Sequence, residues 1–389
     1  MFSRIASSLH GDANPLYALR DALTRRGVPV RDLISGNINE QGFLFPSDRL
    51  EDILLRASRQ CLLYRPDSFG RRSAREAVSR YYRSRGVRYD PDAILLTPGT
   101  SLSYWYCFKL LADEGDEILC PRPSYPLFEY IALLSGVRLV PYRLDERKGW
   151  ALDDELLEAS ISARTRAIVL ISPHNPTGRV ASSEEVQRLV QVAIRHDLAI
   201  ISDEVFCEFL IGGGAFARPA ALEAPLVVTL NGFSKMFALP GIKFGWMAVS
   251  GDPDRVRRAM RSLELMSDTF LPVNEIAQAA APDIFLQGES VCADFARRIE
   301  QCWDVADACL QPCVRSSYVR PQGGFYVTLR LEGISEEKAS EGLLAAHHVL
   351  VHPGYFYDME MDHLVLCFVQ QPETMRLALE ALKETLSGL

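Results

Sequence analysis

The sequence predicts an α/β fold with a large, mostly parallel sheet of seven strands between helices, together with a smaller α+β domain. Three observations support this prediction: short apolar runs without alternation, helix-like segments between most of them, and a different pattern near the carboxyl terminus. Strands of a parallel sheet are buried on both faces, so they read as continuous apolar runs. The seven runs span residues 94–96, 118–120, 137–140, 167–171, 198–201, 226–230 and 246–249.

Helix-like segments separate most of these runs. In residues 183–195, one face carries Val186, Leu189, Val190 and Ala193, which is the spacing of an amphipathic helix. Strands that alternate with such helices are typical of one sheet covered on both faces. We therefore expect residues 46–284 to form a single large domain.

The last third of the chain predicts a smaller α+β domain over residues 285–389. The N-terminal segment, residues 1–45, precedes the first elements of the large domain, and we expect it to pack with the small one. The predicted elements are helices over 293–310, 335–346 and 372–386, and strands over 324–329, 349–351 and 364–369.

Composition limits the compartment and the partners. The chain has 389 residues, with 42 basic and 50 acidic side chains, and its net charge of −8 argues against nucleic acid as a partner. No apolar run approaches the ~18 residues of a membrane span, and the charged N-terminus does not resemble a signal peptide. The nine cysteines form no C-x-x-C pair, which indicates free thiols. We expect a cytoplasmic protein without a membrane partner.

Polar residues follow several predicted strands, and ligands of parallel sheets bind at the carboxyl ends of strands. The turn Gly99-Thr100-Ser101 opens a helix and could cradle a phosphate, although an ordinary helix cap has the same residues. Tyr125 stands between two prolines, where it is either a stacking surface for a planar ligand or part of a rigid turn. Taken one at a time, these signals do not separate function from structure.

Three further residues are equally ambiguous when taken alone. Asn175 either points its amide into a cleft or caps its own turn, Asp203 either meets a cation or faces solvent, and Lys235 is a loop lysine. Together with the turn and the aromatic residue, they form a set that suits pyridoxal phosphate. This cofactor carries a phosphate, a flat ring, a phenolic oxygen, a ring nitrogen that works best protonated and an aldehyde that a lysine captures.

In their order and spacing these motifs resemble those of the fold-type I, class I/II pyridoxal-phosphate-dependent aminotransferases. The resemblance spans nearly the whole chain and implies the fold of those enzymes. The motifs that carry it are Asn175-Pro176-Thr177-Gly178, Ser202-Asp203-Glu204-Val205, Asn231-Gly232-Phe233-Ser234-Lys235, Pro240-Gly241 and Gly245-Trp246.

The resemblance also implies roles for individual residues. Lys235 would form the internal aldimine and move the α-proton, Asp203 would pair with the pyridine nitrogen, and Tyr125 would stack on the ring. Tyr64 matches a tyrosine that family members lend to the neighbouring subunit, which implies a homodimer with shared active sites. No metal is expected. The expected cofactor-binding residues are Gly99, Thr100, Ser101, Tyr125, Asn175, Asp203, Ser234, Lys235, Lys243 and Tyr64.

The chain departs from the family pattern at three positions. Phe206 replaces the usual tyrosine that donates to the phenolic oxygen, and Lys243 replaces the commoner arginine at the phosphate. Val365 stands where an arginine clamps the substrate's α-carboxylate, and valine cannot form that bidentate pair. The cations that could take over this task are Arg122, His352 and Arg20.

The expected function is transfer of an amino group between an amino acid, or a related amine, and a keto acid. Because Val365 suggests a differently held substrate, a lyase, decarboxylase or cyclase that uses the same cofactor is the alternative. A regulatory protein with an inactive site is less well supported, since Lys235 and Asp203 are both present. The first ~45 residues are also too few for a separate DNA-binding segment.

Two other motifs do not predict function. The glycine-rich stretch over residues 212–217 fits G-x-G-x-x-A, but Arg218-Pro219 follows where a dinucleotide-binding helix should run. His348 and His352 are four residues apart, but the apolar residues between them predict a strand, so we expect structural histidines. Residues 34–43 and 354–361 are the expected walls of a partly aromatic substrate pocket.

Overall fold

The computed structural model describes residues 1–8, 14–311, 313 and 315–389. Among these residues the strands fall into an eight-stranded, a four-stranded and a two-stranded sheet. The strands are β1 (Arg31–Asp32), β2 (Ile94–Thr97), β3 (Glu117–Arg122), β4 (Arg138–Asp145), β5 (Ala151–Leu152), β6 (Thr165–Ile171), β7 (Ala199–Asp203), β8 (Leu226–Gly232), β9 (Gly245–Gly251), β10 (Ser316–Tyr318), β11 (Tyr326–Leu331), β12 (Val349–Leu350), β13 (His352–Pro353) and β14 (His363–Cys367).

Helices surround the sheets and form most of the remaining structure. They are α1 (Arg4–Ser8), α2 (Pro15–Arg25), α3 (Ser47–Arg59), α4 (Arg72–Arg83), α5 (Thr100–Leu111), α6 (Leu127–Ser135), α7 (Asp154–Ala159), α8 (Ser183–His196), α9 (Phe233–Met236), α10 (Pro253–Asp268), α11 (Glu275–Leu310), α12 (Glu336–His347) and α13 (Pro372–Gly388).

The large sheet has the order β2-β9-β8-β7-β6-β3-β4-β5. Strands β8, β7, β6, β3 and β4 are parallel to their neighbours in this series, whereas β9 is antiparallel to both β8 and β2. All seven predicted strands are present, and the prediction of a mostly parallel sheet is confirmed. The structure adds an eighth, two-residue strand, β5, which pairs antiparallel with the end of β4.

Both faces of the large sheet are covered, which explains the continuous apolar runs. In β3, Ile118 packs in one cluster with Phe128 of α6 and Leu263 of α10. The next residue, Leu119, packs in a different cluster with Leu189 of α8. Because successive side chains of a strand point to opposite faces, residues 118–120 in the middle of β3 are all apolar.

The small sheet is antiparallel, with the order β10-β11-β14-β13. Strands β11 and β14 lie in its centre, and Tyr326 of β11 pairs with Cys367 of β14. The ring of Trp303 in α11 packs against Phe368, which follows β14, with their centroids 5.3 Å apart. The α/β fold with a second, smaller α+β unit is therefore as predicted.

The N-terminal segment contacts elements that come late in the chain. Strand β1 pairs parallel with β12, and Leu16 and Leu23 of α2 share an apolar cluster with Leu344 of α12. Helix α11 is 36 residues long and begins 18 residues before the predicted start at 293, because Pro282 lies inside it without ending it. This helix crosses the predicted boundary at residue 285, so the ranges 1–45, 46–284 and 285–389 stay a prediction.

The part of the chain that the structure describes contains neither a membrane-spanning helix nor a cluster of metal ligands. None of its helices has both the length and the apolar composition needed to cross a bilayer. No group of three or more His, Cys, Asp or Glu side chains there is arranged to hold a metal ion.

Candidate active site

Three of the predicted site residues follow neighbouring strands of the large sheet. Asn175 comes after β6, Asp203 ends β7, and Lys235 comes after β8. The last residue of β6, Ile171, pairs with Asp203, and Asp203 pairs with Leu230 of β8. Because these strands are parallel, their carboxyl ends meet at the same edge of the sheet.

Asp203 is a half-buried carboxylate held by two hydrogen-bond donors. The hydroxyl of Tyr104, on α5, donates to Oδ2 over 2.8 Å, and the backbone N–H of Val205 donates to Oδ1 over 3.0 Å. Burial raises the pKa of Asp203 to about 6, although both donors favour the charged form and oppose this rise. The site thus holds an acid that a cationic ligand would convert fully to its carboxylate.

Lys235 lies in α9, the short helix that begins directly after β8. Its Nζ donates to the carbonyl oxygen of Gly36 over 2.7 Å and lies 6.0 Å from the ring centres of both Phe206 and Phe325. Burial lowers the pKa of Lys235 below its ordinary value, and the nearby Cys367 thiol opposes this change. The amine is therefore more easily deprotonated than a surface lysine.

The turn before α5 has the geometry of an anion cradle. Gly99 precedes the first helical residue at φ +156°, and no side chain of the described residues caps the helix there. A Cβ added to Gly99 would meet nothing within 4 Å, so the space before the helix is open. The first N–H groups of a helix have no partner within it, and those of Thr100 and Ser101 border this space.

Strand pairing brings Lys243 to the same turn. Thr97 of β2 pairs with Gly245 of β9, so Gly99 and Lys243 each lie two residues beyond this pair. A Cβ on Gly245 would come within 3.1 Å of the Gly99 Cα, which explains the glycine at position 245. Lys243 is exposed, and Ser234 lies half-buried in α9.

Asn175 does not cap its own turn. Its side-chain oxygen is buried and makes no hydrogen bond within the described part of the chain. The turn is closed instead by its neighbours, since His174 Nδ1 contacts Thr177 Oγ1 at 2.9 Å and Gly178 N–H donates to the His174 carbonyl. A buried amide without a partner is expensive, so this side chain is suited to meet a ligand.

The two predicted tyrosines occupy different surroundings. Tyr125 follows β3 and is 42% exposed. Burial raises its pKa, and the negative charge of the nearby Asp203 raises it further. Tyr125 therefore lies on the same side of the sheet as that carboxylate. Tyr64 is 71% exposed and lines a separate surface pocket with Asp67 and Leu271. The structure therefore brings Tyr125 to the cluster and leaves Tyr64 on the outer surface.

Each of the three cations considered for the task of the missing arginine already has a partner of its own. Val365 is buried in β14, opposite Thr328 of β11 and His352 of β13. Arg122 Nε donates to the carbonyl oxygen of Asp358, and Arg20 pairs with Asp21. Burial lowers the pKa of His352 to about 4, so this ring is neutral near pH 7.

Sequence reasoning did not single out Tyr104, Tyr326 or Gly36 as site residues, although Gly36 lies within the predicted pocket wall over residues 34–43. Tyr104 lies one helical turn after the Gly99-Thr100-Ser101 cap, and this spacing is the only signal that could have found it. Gly36 and Tyr326 come from distant parts of the chain, and Gly36 is 199 residues from Lys235. A Cβ on Gly36 would clash with the Tyr326 hydroxyl oxygen and lie 3.1 Å from Lys235 Nζ, so any larger residue would push these two side chains aside.

Known proteins resemble this chain over almost its full length. It is 32% identical to the glutamate-pyruvate aminotransferase of Haemophilus influenzae over 378 residues, which cover 92% of each chain. It is 31% identical to an alanine aminotransferase of Mycobacterium bovis, covering 98% of this chain and 91% of that one. A crystal structure of an aminotransferase from Escherichia coli superposes with a TM-score of 0.91 at 28% identity, covering 100% and 98% of the two chains.

All three of these proteins are named as aminotransferases. They support amino-group transfer rather than the lyase, decarboxylase or cyclase alternative that Val365 suggested. A family model described as aminotransferase class I and II matches residues 36–382. With that match and relatives above 30% identity over nine-tenths of their length, this chain belongs to the class I and II aminotransferase family.

Proposed function

We propose that this aminotransferase binds pyridoxal 5'-phosphate at the carboxyl edge of the large sheet and uses it to move an amino group. The donor is an amino acid or a related amine, and the acceptor is a keto acid. The observation that carries the proposal is a half-buried lysine and a half-buried carboxylate, both with shifted pKa values, at the ends of the adjacent strands β8 and β7.

The residues present suit this cofactor. The unpartnered side-chain oxygen of Asn175 and the open space before Gly99 are features that a ligand with a phenolic oxygen and a phosphate would use. Asp203 would pair with a protonated ring nitrogen, Tyr125 would stack on the ring, and Asn175 would bind the phenolic oxygen. The phosphate would be held by Gly99, Thr100, Ser101, Ser234 and Lys243. When bound, the cofactor supplies an electron sink for negative charge at the substrate's α-carbon.

The chain's own groups position the proton that must move. Lys235 has a lowered pKa, so its neutral amine can accept a proton from the substrate at Nζ. The Gly36 carbonyl fixes this amine, and the rings of Phe206 and Phe325 keep water away from it. Asp203 stays ionised once a cation is beside it, helped by the donors Tyr104 and Val205.

Two observations bear on the class of amino donor: the names of the relatives, and the valine at position 365 where the family usually has an arginine. The relatives' names point to alanine and glutamate with pyruvate as the keto acid. Val365 gives a substrate carboxylate no ion pair, and Arg122, Arg20 and His352 are bonded elsewhere or neutral. We therefore keep related amines and amino acids with a masked carboxyl group in the proposed donor class.

We also propose a cytoplasmic homodimer with shared active sites. Leu62, Leu63 and Tyr64 form an exposed run at the surface, and Phe270 is exposed as well; such apolar surface suits a second copy of the chain. Tyr64 would then reach the phosphate of the neighbouring subunit. All nine cysteines are free thiols, which suits a reducing compartment.

The experiment that tests the function is a half-reaction with single amino donors. Loaded enzyme is mixed with one donor at a time, and absorbance follows the conversion of the cofactor to its amine form. We expect this conversion with at least one donor, its loss in Lys235→Ala, and no change in the surface control Lys148→Ala. Release of ammonia or carbon dioxide without the amine form would contradict amino transfer.

A further inference from the structure

The hydroxyl group of Tyr326 is the unexplained polar group beside Lys235. Tyr326 begins β11 and is 9% exposed, and its ring packs edge-on against Phe206 with centroids 6.4 Å apart. Within the described part of the chain its hydroxyl makes no hydrogen bond, whereas the hydroxyl of Tyr104 is bonded to Asp203. This hydroxyl is therefore free to donate to a group in the space beside it.

Gly36 joins this hydroxyl to the lysine. The Gly36 carbonyl accepts a hydrogen bond from Lys235 Nζ. A Cβ added to Gly36 would contact both Tyr326 Oη and Lys235 Nζ. The glycine thus leaves a shared space in which the hydroxyl and the amine approach each other. Phe206, which stands where the family usually has a tyrosine, has no hydroxyl to offer in this space.

The surroundings keep the Tyr326 hydroxyl protonated. Burial raises its pKa well above the ordinary value, and Cys367, Tyr357, Tyr125 and Asp32 add to this effect. The titratable group that acts on Lys235 is Cys367, whose own pKa burial raises to about 12. Near pH 7 the Tyr326 hydroxyl is therefore protonated and can donate to the Lys235 amine, and the neighbouring Cys367 thiol is neutral.

We propose that Tyr326 is a positioning residue that acts through Lys235. When the amine is neutral it can still donate to the Gly36 carbonyl, and its lone pair accepts a hydrogen bond from the Tyr326 hydroxyl, which stabilises the neutral form. A neutral amine is the form that can accept a proton, so Tyr326 holds Lys235 ready between proton transfers. This inference rests on the proposed role of Lys235 as the proton acceptor.

The first test measures the Lys235 amine directly, without turnover. The full chain has only six lysines, at positions 109, 148, 235, 243, 338 and 383, so each amine can be followed in its own peptide. Before loading with the cofactor, the protein is labelled with acetic anhydride at a series of pH values and analysed by mass spectrometry. Because one hydrogen bond to the neutral amine is lost, Tyr326→Phe should raise the apparent pKa of Lys235 by roughly half a unit to one unit.

The control is Tyr318→Phe, which removes a hydroxyl from β10 of the same sheet, where it donates to Asp307. This variant should leave the Lys235 pKa unchanged. In the loaded enzyme, Tyr326→Phe should shift the acid limb of the kcat profile upward by the same amount and lower kcat about tenfold near pH 7. KM should change less than kcat, since the hydroxyl acts on the lysine.

The results that would overturn the role of Tyr326 differ from those that would overturn the proposed function. A Lys235 pKa that stays the same or falls in Tyr326→Phe rejects it, even if the melting temperature changes. A kcat profile that does not move also rejects it. Failure of the proposed function looks different: neither the wild type nor the variant would then incorporate the cofactor at Lys235, while the labelling would still report the amine's pKa.

Discussion

Tyr104 donates its hydroxyl to Asp203 over 2.8 Å, which links the helix after the anion cradle to the carboxylate at the end of β7. Removing this donor in Tyr104→Phe destabilises the ionised carboxylate, so the pKa of Asp203 should rise further. We expect cofactor affinity to fall about tenfold, as for one lost hydrogen bond to a charged group. Titration with pyridoxal phosphate measures this change. Tyr106→Phe, on the same helix, is the matched control and should bind normally.

Asp203 should make the cofactor-free protein sensitive to pH. Its pKa in the folded chain, about 6, is raised above the ordinary value near 4, so its contribution to stability is full below pH 4 and is lost as pH rises through 6. Relative to Asp203→Asn, the free energy of unfolding of the wild type should fall by roughly 2 kcal/mol over this range. Urea unfolding at pH 4 to 8 measures it. A constant difference between the two proteins would show that the carboxyl group is not desolvated.

Val365 should weaken discrimination between a free carboxylate and a neutral group on the donor. An ion pair with arginine would favour L-alanine over L-alaninamide by roughly 10 to 100-fold, because hydrogen bonds to charged groups are worth ~1.5–3 kcal/mol. Without that pair we expect the half-reaction rates at low donor concentration to differ by less than about tenfold. A larger preference for the free acid would reveal another cation, and Arg20→Ala and Arg122→Ala would then identify it.

Lys243 should act on the phosphate group and on nothing else in the cofactor. Lys243→Ala is expected to weaken binding of pyridoxal phosphate by roughly 10 to 100-fold, since a charged hydrogen bond is lost. Binding of pyridoxal, which lacks the phosphate, should not change. Lys338→Ala, an exposed lysine on α12, is the control. Equal weakening of both ligands would place Lys243 away from the phosphate.

Tyr64 should act across the subunit interface. If sites are shared, a hybrid of Tyr64→Ala and Lys235→Ala subunits has one site with both defects and one with neither. Mixing and refolding the two weak variants should therefore restore up to about a quarter of wild-type activity, because half of the dimers are hybrids with one intact site each. Activity that stays at the average of the two parents would argue against a shared site.

The sequence predicted the elements whose signal is local. The seven strands of the large sheet were found because burial on both faces makes each of them an apolar run. Strand β5 was missed because two residues at a sheet edge carry no such pattern. The first half of α11 was missed because Pro282 interrupts its helical pattern, although the helix continues through it.

The same distinction holds for the site. Asn175, Asp203 and Lys235 were identified because each directly follows a predicted strand, and the parallel sheet brings such residues together. Gly36 lies in the predicted pocket wall over residues 34–43, but its contact with Lys235 and the position of Tyr326 beside it have no local sequence pattern that could predict them. Tyr64 was assigned by resemblance, and its role needs a second subunit.

The most direct measurement is chemical identification of the lysine that captures the cofactor. The purified protein is loaded with pyridoxal phosphate, reduced with borohydride and digested, and the peptides are analysed by mass spectrometry. With only six lysines in the chain, each candidate falls on a distinguishable peptide. We predict that the reduced cofactor is attached to Lys235. Attachment to another lysine, or none at all in protein that remains folded, would contradict the account.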